Sequence, residues 1–380
     1  MIKRQKIAKR TTTFTESLIR EMTRVNNTYN AVNLAQGFPD FQPPLKIIQA
    51  AKDALDNGYN QYAITWGSER LRSALAQKFS SYNNLEINPD KHITITCGGT
   101  EAMLAAMLAV IDENDEVIIF EPFYENYGPD TILAQGKPIY VQLFEDNGAF
   151  HFNPNELRKA FSNNTRAIII NTPHNPTGKV FSYSELDFIA NLCKKFDVLA
   201  ITDEPYEHIL FDGHIHYSIA SLPGMANRTI TINSISKSYS LTGWRVGWAI
   251  ANDETISKAI RSAHDFITVG AAAPLQEAAV TALKMPKSYY AKLAKDYQKR
   301  RDTMLDILDS SGFQFVKPEG AYYVMTKYPK GHYSDDLEFA HFLSKEIGVT
   351  PVPGRAFYHN PIDGESYVRF AIYGVMIERS

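Results

Sequence analysis

The sequence predicts an α/β protein: a large unit with a mostly parallel mixed sheet flanked by helices, joined to a smaller α+β unit. Three observations predict it. Short β-rich runs alternate with helical patterns along the middle of the chain. Polar and glycine-bearing clusters sit where those runs stop, and near Pro286 the texture changes to a long charged helical stretch. Alternation of this kind places helices on both faces of a parallel sheet.

The elements follow in order. "HITIT" (His92–Thr96) reads as a strand, followed by Gly98-Gly99-Thr100 and the helical "EAMLAAMLAVI". "EVIIF" from Glu116 is the next strand. "NPNELRKAF" from Asn153 reads as a helix with an Asn cap, a proline in its first turn and Glu156 closing a capping box. "RAIII" from Arg166 is a buried strand. Ser182 and Glu185 open another box before apolar residues at helical spacing, and "VLAIT" from Val198 and "TITIN" from Thr229 are further buried strands. After Pro286, "YYAKLAKDYQKRRDTMLDIL" leads to the short strands "AYYVM" and "YVRFAIY". The large unit is expected over residues 45–285, and the small one over 286–380 completed by the arm 1–44.

The 380 residues are 44% hydrophobic, enough apolar mass for a large core. A net charge of −3 gives no reason to expect a nucleic acid or an anionic membrane as partner. Cys97 and Cys193 match no metal-ligand spacing and exclude a disulfide framework, which points to a reduced, cytoplasmic setting. The longest apolar run, Met103–Ile111, is too short to cross a bilayer, and the basic N-terminus lacks the apolar stretch of a secretory signal. In "DGHIHYS", His214 and His216 lie two apart after Asp212; without further ligands they read as a polar turn, and no metal is expected.

In open α/β sheets, ligands bind beyond the carboxyl ends of the strands. Gly98-Gly99-Thr100 offers an anion the free N–H groups of a helix start. "NTPHNPTGK" (Asn171–Lys179) has Val180 where a nucleotide-triphosphate loop needs Ser or Thr. "DEPY" puts Asp203 at a strand end, where a carboxylate needs a cation or several donors. In "SISKSYSLTGWRVGW" (Ser234–Trp248), Lys237 follows a buried strand and loses its proton readily, a property of imine-forming lysines. The planar fork of Arg245 suits a phosphate. Arg369, inside "YVRFAIY", asks for an anion if buried, and a substrate carboxylate would serve.

Together these stretches resemble the class I, fold type I, pyridoxal-phosphate-dependent aminotransferases. "LAQGFPDF", "NQYAITWG", "NTPHNPTGK", "ITDEPYEH", the Ser234–Gly247 stretch and "YVRFAI" fall in that family's order. By eye the chain is most similar to the branch with kynurenine, methionine and glutamine-type aminotransferases. The resemblance implies pyridoxal 5'-phosphate as cofactor, with Lys237 as Schiff-base lysine and proton shuttle. It implies Asp203 on the pyridine nitrogen, Tyr206 and Asn175 on the ring hydroxyl oxygen, and Tyr124 on the ring face. Gly99, Thr100, Ser234, Ser236 and Arg245 would hold the phosphate, with Tyr62 reaching it from a second subunit, so a homodimer is implied. Arg369, helped by Asn175 and the backbone at Gly37, would take the substrate α-carboxylate. The implied reaction is ping-pong transfer of the amino group of an L-amino acid (aromatic, methionine or glutamine-like) to a 2-oxo acid.

Two departures stand out. The chain ends at Ser380, where the family usually adds a final helix after the "YVRF" strand. Thr100 stands where aspartate-using members often place a lysine, which points away from a dedicated aspartate enzyme. A cysteine-conjugate β-lyase could use the same residues. A regulator built on this fold would need a DNA-binding unit ahead of "LAQGF", and the residues before Leu34 are too few. By analogy, "HDFITVGAAAPLQ" from His264 is expected at the subunit interface.

Overall fold

A computed structural model describes residues 7–14, 16–329, 331 and 333–372. The first six residues and the segment after Ile372, on which the readings of the N- and C-terminal ends bear, lie outside them. The chain opens with α1 (Leu18–Tyr29), β1 (Val32–Asn33), α2 (Leu45–Asp56) and α3 (Glu69–Lys78). The main sheet follows: β2 (Ile93–Thr96), β3 (Glu116–Glu121), β4 (Lys137–Asp146), β5 (Ala149–Phe152), β6 (Thr165–Asn171), β7 (Leu199–Asp203), β8 (Thr229–Ser234) and β9 (Gly247–Ala251). Its order in space is β2-β9-β8-β7-β6-β3-β4-β5, with β5 and β9 antiparallel to their neighbours. The helices between and after these strands are α4 (Gly99–Val110), α5 (Tyr127–Leu133), α6 (Pro154–Ala160), α7 (Tyr183–Phe196), α8 (Glu254–Ile267) and α9 (Ala273–Leu283).

Side chains alternate across a strand, so a strand covered on both faces must be apolar at every position. In β6, Ala167 and Ile169 join α4 and α8 in one core, whereas Ile168 and Ile170 join α6 and α7 in the other. The expected cap and box at Ser182 and Glu185 both form. At Asn153 the side chain accepts from the N–H groups of Asn155 and Glu156, but the exposed Glu156 sends no bond back among the described residues; that cap is one-sided, not a box.

After Pro286 come α10 (Lys287–Ser310), β10 (Gln314–Phe315), β11 (Tyr323–Lys327), α11 (Asp336–Phe342), β12 (Val349–Thr350), β13 (Val352–Pro353) and β14 (Tyr367–Ala371). Strands β10, β11, β14 and β13 form an antiparallel sheet, and β1 pairs with β12 in parallel. The N-terminal segment is thereby tied to the C-terminal part. The Arg301 side chain of α10, fully buried, donates to Asp212 at 2.6 and 3.1 Å, to Asp302 at 2.6 Å and to the Pro318 carbonyl. Asp212, next to the histidines that invite a metal reading, is therefore half of an ion pair between the two parts of the chain. His216 also departs from the polar-turn reading: its buried ring meets Glu204 at 3.0 Å.

The antiparallel β9 brings Gly247 level with both Ser234 of β8 and Thr96 of β2. A Cβ at Gly247 would fall 2.5 Å from the Gly98 carbonyl carbon and 2.6 Å from the Gly99 nitrogen. These are backbone atoms that cannot step aside. Gly247→Ala is expected to cost about 1–3 kcal/mol, as overpacking does. It should also loosen the Gly98–Gly99 turn, read as a lower melting temperature together with weaker retention of an added phosphate-bearing cofactor.

Candidate active site

A cavity of about 470 Å³ opens where β6, β7 and β8 end. Neighbouring registers bring Asn171 beside Asp203, and Asp203 beside Ile232, two residues before Ser234. Chain distance is thus converted into contact. Around the cavity stand Gly99, Thr100, Tyr124, Asn175, Asp203, Tyr206, Ser234, Ser236, Lys237 and Arg245, with Gly37 and Arg369 from the flanking segments. Every expected site residue lines it except Tyr62, whose side chain lies on the surface at 87% exposure.

The charges of this cavity lack ordinary partners. The Lys237 ammonium donates to the Gly37 carbonyl at 2.6 Å and has no salt bridge among the described residues. Burial pushes its pKa below the usual lysine range, Arg369 and Arg245 push the same way, and Tyr323 and Asp203 oppose them. Burial raises the Asp203 carboxyl to about 6, against a bond from Tyr127 Oη to Oδ2 at 2.7 Å that favours the carboxylate. Burial and the Asp203 charge raise Asp130, also on this cavity, to about 7.

Arg369 is 1% exposed, and its guanidinium donates to the Asn175 side chain at 2.8 Å and the Ala35 carbonyl at 2.5 Å. Its Nε has no partner, and it lies over the Tyr323 and Phe357 rings, 4.3 and 4.8 Å from their centroids. A buried arginine without a carboxylate is costly, and an incoming carboxylate would remove that cost. The Arg245 guanidinium donates to the Thr242 carbonyl at 2.8 Å and packs so closely on Gly98 that a Cβ there would overlap it. With the first N–H groups of α4 and the Ser234 and Ser236 hydroxyls, it forms a cup for a dianion.

This donor set fits pyridoxal phosphate. The cup takes a phosphate, Asp203 takes a cation at the far end, and Lys237 offers an amine between them. The phosphate needs close backbone approach, which the φ of +86° at Gly98 provides.

Several contributors escaped the sequence reading. Tyr127 holds Asp203, and Tyr323 Oη meets Tyr206 Oη at 2.9 Å. Asn171 donates to the Asp203 carbonyl at 2.8 Å and accepts from the Asn175 N–H at 2.7 Å. Glu207 is buried and takes the Lys78 ammonium at 2.6 Å and the Asn233 amide at 2.8 Å. Burial works against its ionisation, but Lys78 and the nearby histidines bring it to about 2. Glu204, Glu207 and His216 come within metal-binding distance of one another, yet Lys78 already supplies the cation there. His174 and His208, near the site in sequence, are kept neutral by burial, with pKa values of about 3 and 4. His264, the first residue of the stretch expected at an interface, is itself buried inside the chain: Nδ1 meets Glu101 at 2.6 Å and Nε2 meets the Thr65 carbonyl at 2.8 Å.

The sequence from residue 29 to residue 376 matches the model of the family described as aminotransferase class I and II. The chain belongs to that family. A kynurenine–oxoglutarate transaminase of Dictyostelium discoideum is 37% identical, covering 96% of this chain and 92% of that protein. The solved N-succinyldiaminopimelate aminotransferase of Mycobacterium tuberculosis superposes with a TM-score of 0.93 at 36% identity, over 96% of this chain and 95% of that one. An Escherichia coli protein with a methionine aminotransferase function gives 0.91 at 31% identity, over 97% and 96%. The chain is accordingly a pyridoxal-phosphate-dependent aminotransferase of fold type I.

The raised Asp203 pKa makes a signed prediction for the cofactor-free protein. A buried carboxyl titrating at about 6 rather than 3.8 destabilises the fold progressively as pH rises between those values. Asp203→Asn removes that penalty, so its stability relative to wild type should rise by on the order of 2–3 kcal/mol between about pH 4 and pH 7. Urea titrations across that range check this. A difference that stays flat, or falls, would contradict the assignment.

Proposed function

We propose that this aminotransferase exchanges the amino group of an L-amino acid with an aromatic or thioether side chain, or a glutamine-like one, for that of a 2-oxo acid. One observation carries the reading. The cavity that holds the carboxylate-free Arg369 is walled beside it by Ile19, Phe38 and Tyr124, an apolar seat for a side chain. The relatives support it: among proteins similar to this chain are the kynurenine–oxoglutarate transaminase above and an aromatic-amino-acid aminotransferase of Thermococcus litoralis, 38% identical.

Arg369, with Asn175 and the backbone at Gly37, binds the α-carboxylate and so fixes where the α-hydrogen points. Lys237 is the amine that takes the cofactor aldehyde at rest. Once displaced by substrate, its Nζ, whose pKa burial lowers, would take the substrate α-proton and give it to the carbon that had been the cofactor's carbonyl carbon; positioned proton transfer is typically worth about 10²–10⁴-fold. Pyridoxal phosphate, when bound, supplies the carbonyl that accepts the amino group and the ring that accepts the electron pair. Asp203 holds the ring nitrogen as a cation, with Tyr127 fixing the carboxylate. Tyr206 and Asn175 hold the ring hydroxyl oxygen, and Tyr124 covers a ring face. Gly99, Thr100, Ser234, Ser236 and Arg245 hold the phosphate.

A homodimer belongs to this proposal. Tyr62, Ile64, Phe266 and Val269 expose apolar surface on two segments joined through the His264–Thr65 bond, and Phe266 is 94% exposed. Val269 takes a φ of +69°, costly for a β-branched residue and unexplained within one chain. Tyr62 would then reach the phosphate of the second subunit. The division into units at 44/45 and 285/286 and a cytoplasmic setting are part of the same proposal; both cysteines are free, and no described helix is long and apolar enough to cross a membrane.

A second reading has its own observation. Arg20 lines the cavity mouth next to Glu125, which Ser17 binds through its hydroxyl at 2.6 and 2.8 Å. That guanidinium favours a substrate with a second carboxylate, and an aspartate aminotransferase of Pyrococcus abyssi is 38% identical.

The discriminating experiment records the visible absorption of the loaded protein as excess L-methionine, L-phenylalanine or L-aspartate is added without a 2-oxo acid. Methionine and phenylalanine should bleach the band and aspartate should act more slowly; Lys237→Ala should slow bleaching by at least about 10²-fold. Fastest bleaching by aspartate, lost in Arg20→Ala, favours the second reading. A band unchanged by all three contradicts both, and light scattering should give twice the mass of one chain.

A further inference from the structure

A second cavity, about 590 Å³, shares no lining residue with the first. It lies between the end of α3, the turn after β7 and the α9–α10 junction. Its inner wall is a tilted stack of rings, with interplanar angles of 46° and 31°. The His208 imidazole sits between Tyr82 and Tyr290, with centroids 4.4 and 4.1 Å away. Burial holds that imidazole neutral down to about pH 4, so the stack carries no charge at neutral pH. Leu283 and Met285 add apolar surface.

The polar groups here have one sign. Lys78, Lys284 and Lys287 line the cavity, and none of its lining residues is acidic. Lys78 is neutralised from below by Glu207 at 2.6 Å, whereas Lys284 and Lys287, on the exposed side, have no ion pair among the described residues. An aromatic shelf of tilted rings beneath two unpaired ammonium groups complements an aromatic ring bearing one negative group, which can rest on one ring face and meet another edge-on.

The shelf is bonded directly to the loop that carries Lys237. Tyr290 Oη meets Tyr239 Oη at 2.7 Å, and Tyr289 Oη donates to the Ser238 carbonyl at 2.6 Å. Below the shelf, Glu207 accepts from Asn233, the residue before Ser234 of the phosphate cup. A ligand in this cavity therefore reaches both sides of Lys237: through Tyr290 to Tyr239 after it, and through Lys78 and Glu207 to Asn233 before it. We infer that this cavity is a regulatory site for an aromatic carboxylate or sulfonate, whose occupancy shifts the Lys237 loop.

Naphthalene-2-sulfonate is a suitable probe, titrated calorimetrically into the cofactor-loaded protein with excess 2-oxoglutarate filling the catalytic cavity. One site per chain is expected. Lys284→Glu with Lys287→Glu, both on the surface, should weaken it by about 10-fold or more while leaving probe-free transamination unchanged. The probe should also shift the visible band of the wild type. Tyr290→Phe, which keeps the ring and loses the bond to Tyr239, should bind the probe and show a smaller shift. Absence of saturable binding, or an affinity indifferent to the double charge reversal, overturns the site. Binding that leaves the wild-type band unmoved overturns its link to Lys237.

Discussion

Three buried or half-buried charges and the exposed Arg245 face one cavity with no opposite charge from the protein close enough to neutralise them. Asp203 has a tyrosine, Lys237 a carbonyl, Arg369 an amide and a carbonyl, and Arg245 a carbonyl. Hydrogen bonds to neutral groups offset only part of the loss of water around an ion. The remainder acts as binding energy for whatever brings the complementary pattern: a phosphate at one end, a ring cation at the other and a carboxylate beside them. In the proposed function the first two would come from the cofactor and the last from the substrate. The same desolvation that makes the empty site costly keeps the Lys237 amine weakly basic, as proton transfer requires.

That arrangement survives because its supports are fully paired. Glu207 binds Lys78, Asn83 and Asn233, and so ties the turn after β7 to α3 and to the end of β8. Glu101, in the first turn of α4, takes bonds from the Cys97 N–H and the Thr268 hydroxyl and pairs with His264. Burial opposes the charge on His264, but Glu101 raises its pKa above the usual value. The helix is thereby held against the segment whose far side carries the exposed Phe266 and Val269. Paired charges build the frame, and the charges without ion pairs face the cavity.

Relatives whose names specify kynurenine, methionine, N-succinyldiaminopimelate and aspartate all match this chain over nearly its whole length. One fold therefore serves relatives named for several different substrates. In this chain Ile19 and Arg20 of α1 line the cavity together with Phe38 and Glu125.

Much of this was legible along the chain. Strands covered on both faces are apolar throughout, so their ends stand out, and the residues just past them are those that line the cavity. Asp203, Lys237, Arg245 and Arg369 were conspicuous as charges in apolar surroundings. What stayed hidden depends on pairs far apart in the chain. Lys78 meets Glu207, Asp203 meets Tyr127, Tyr206 meets Tyr323, and Asp212 meets Arg301. Periodicity and capping are short-range and are written in consecutive residues. Which buried tyrosine serves which carboxylate depends on strand order, register and packing, and these exist only once the sheets have formed.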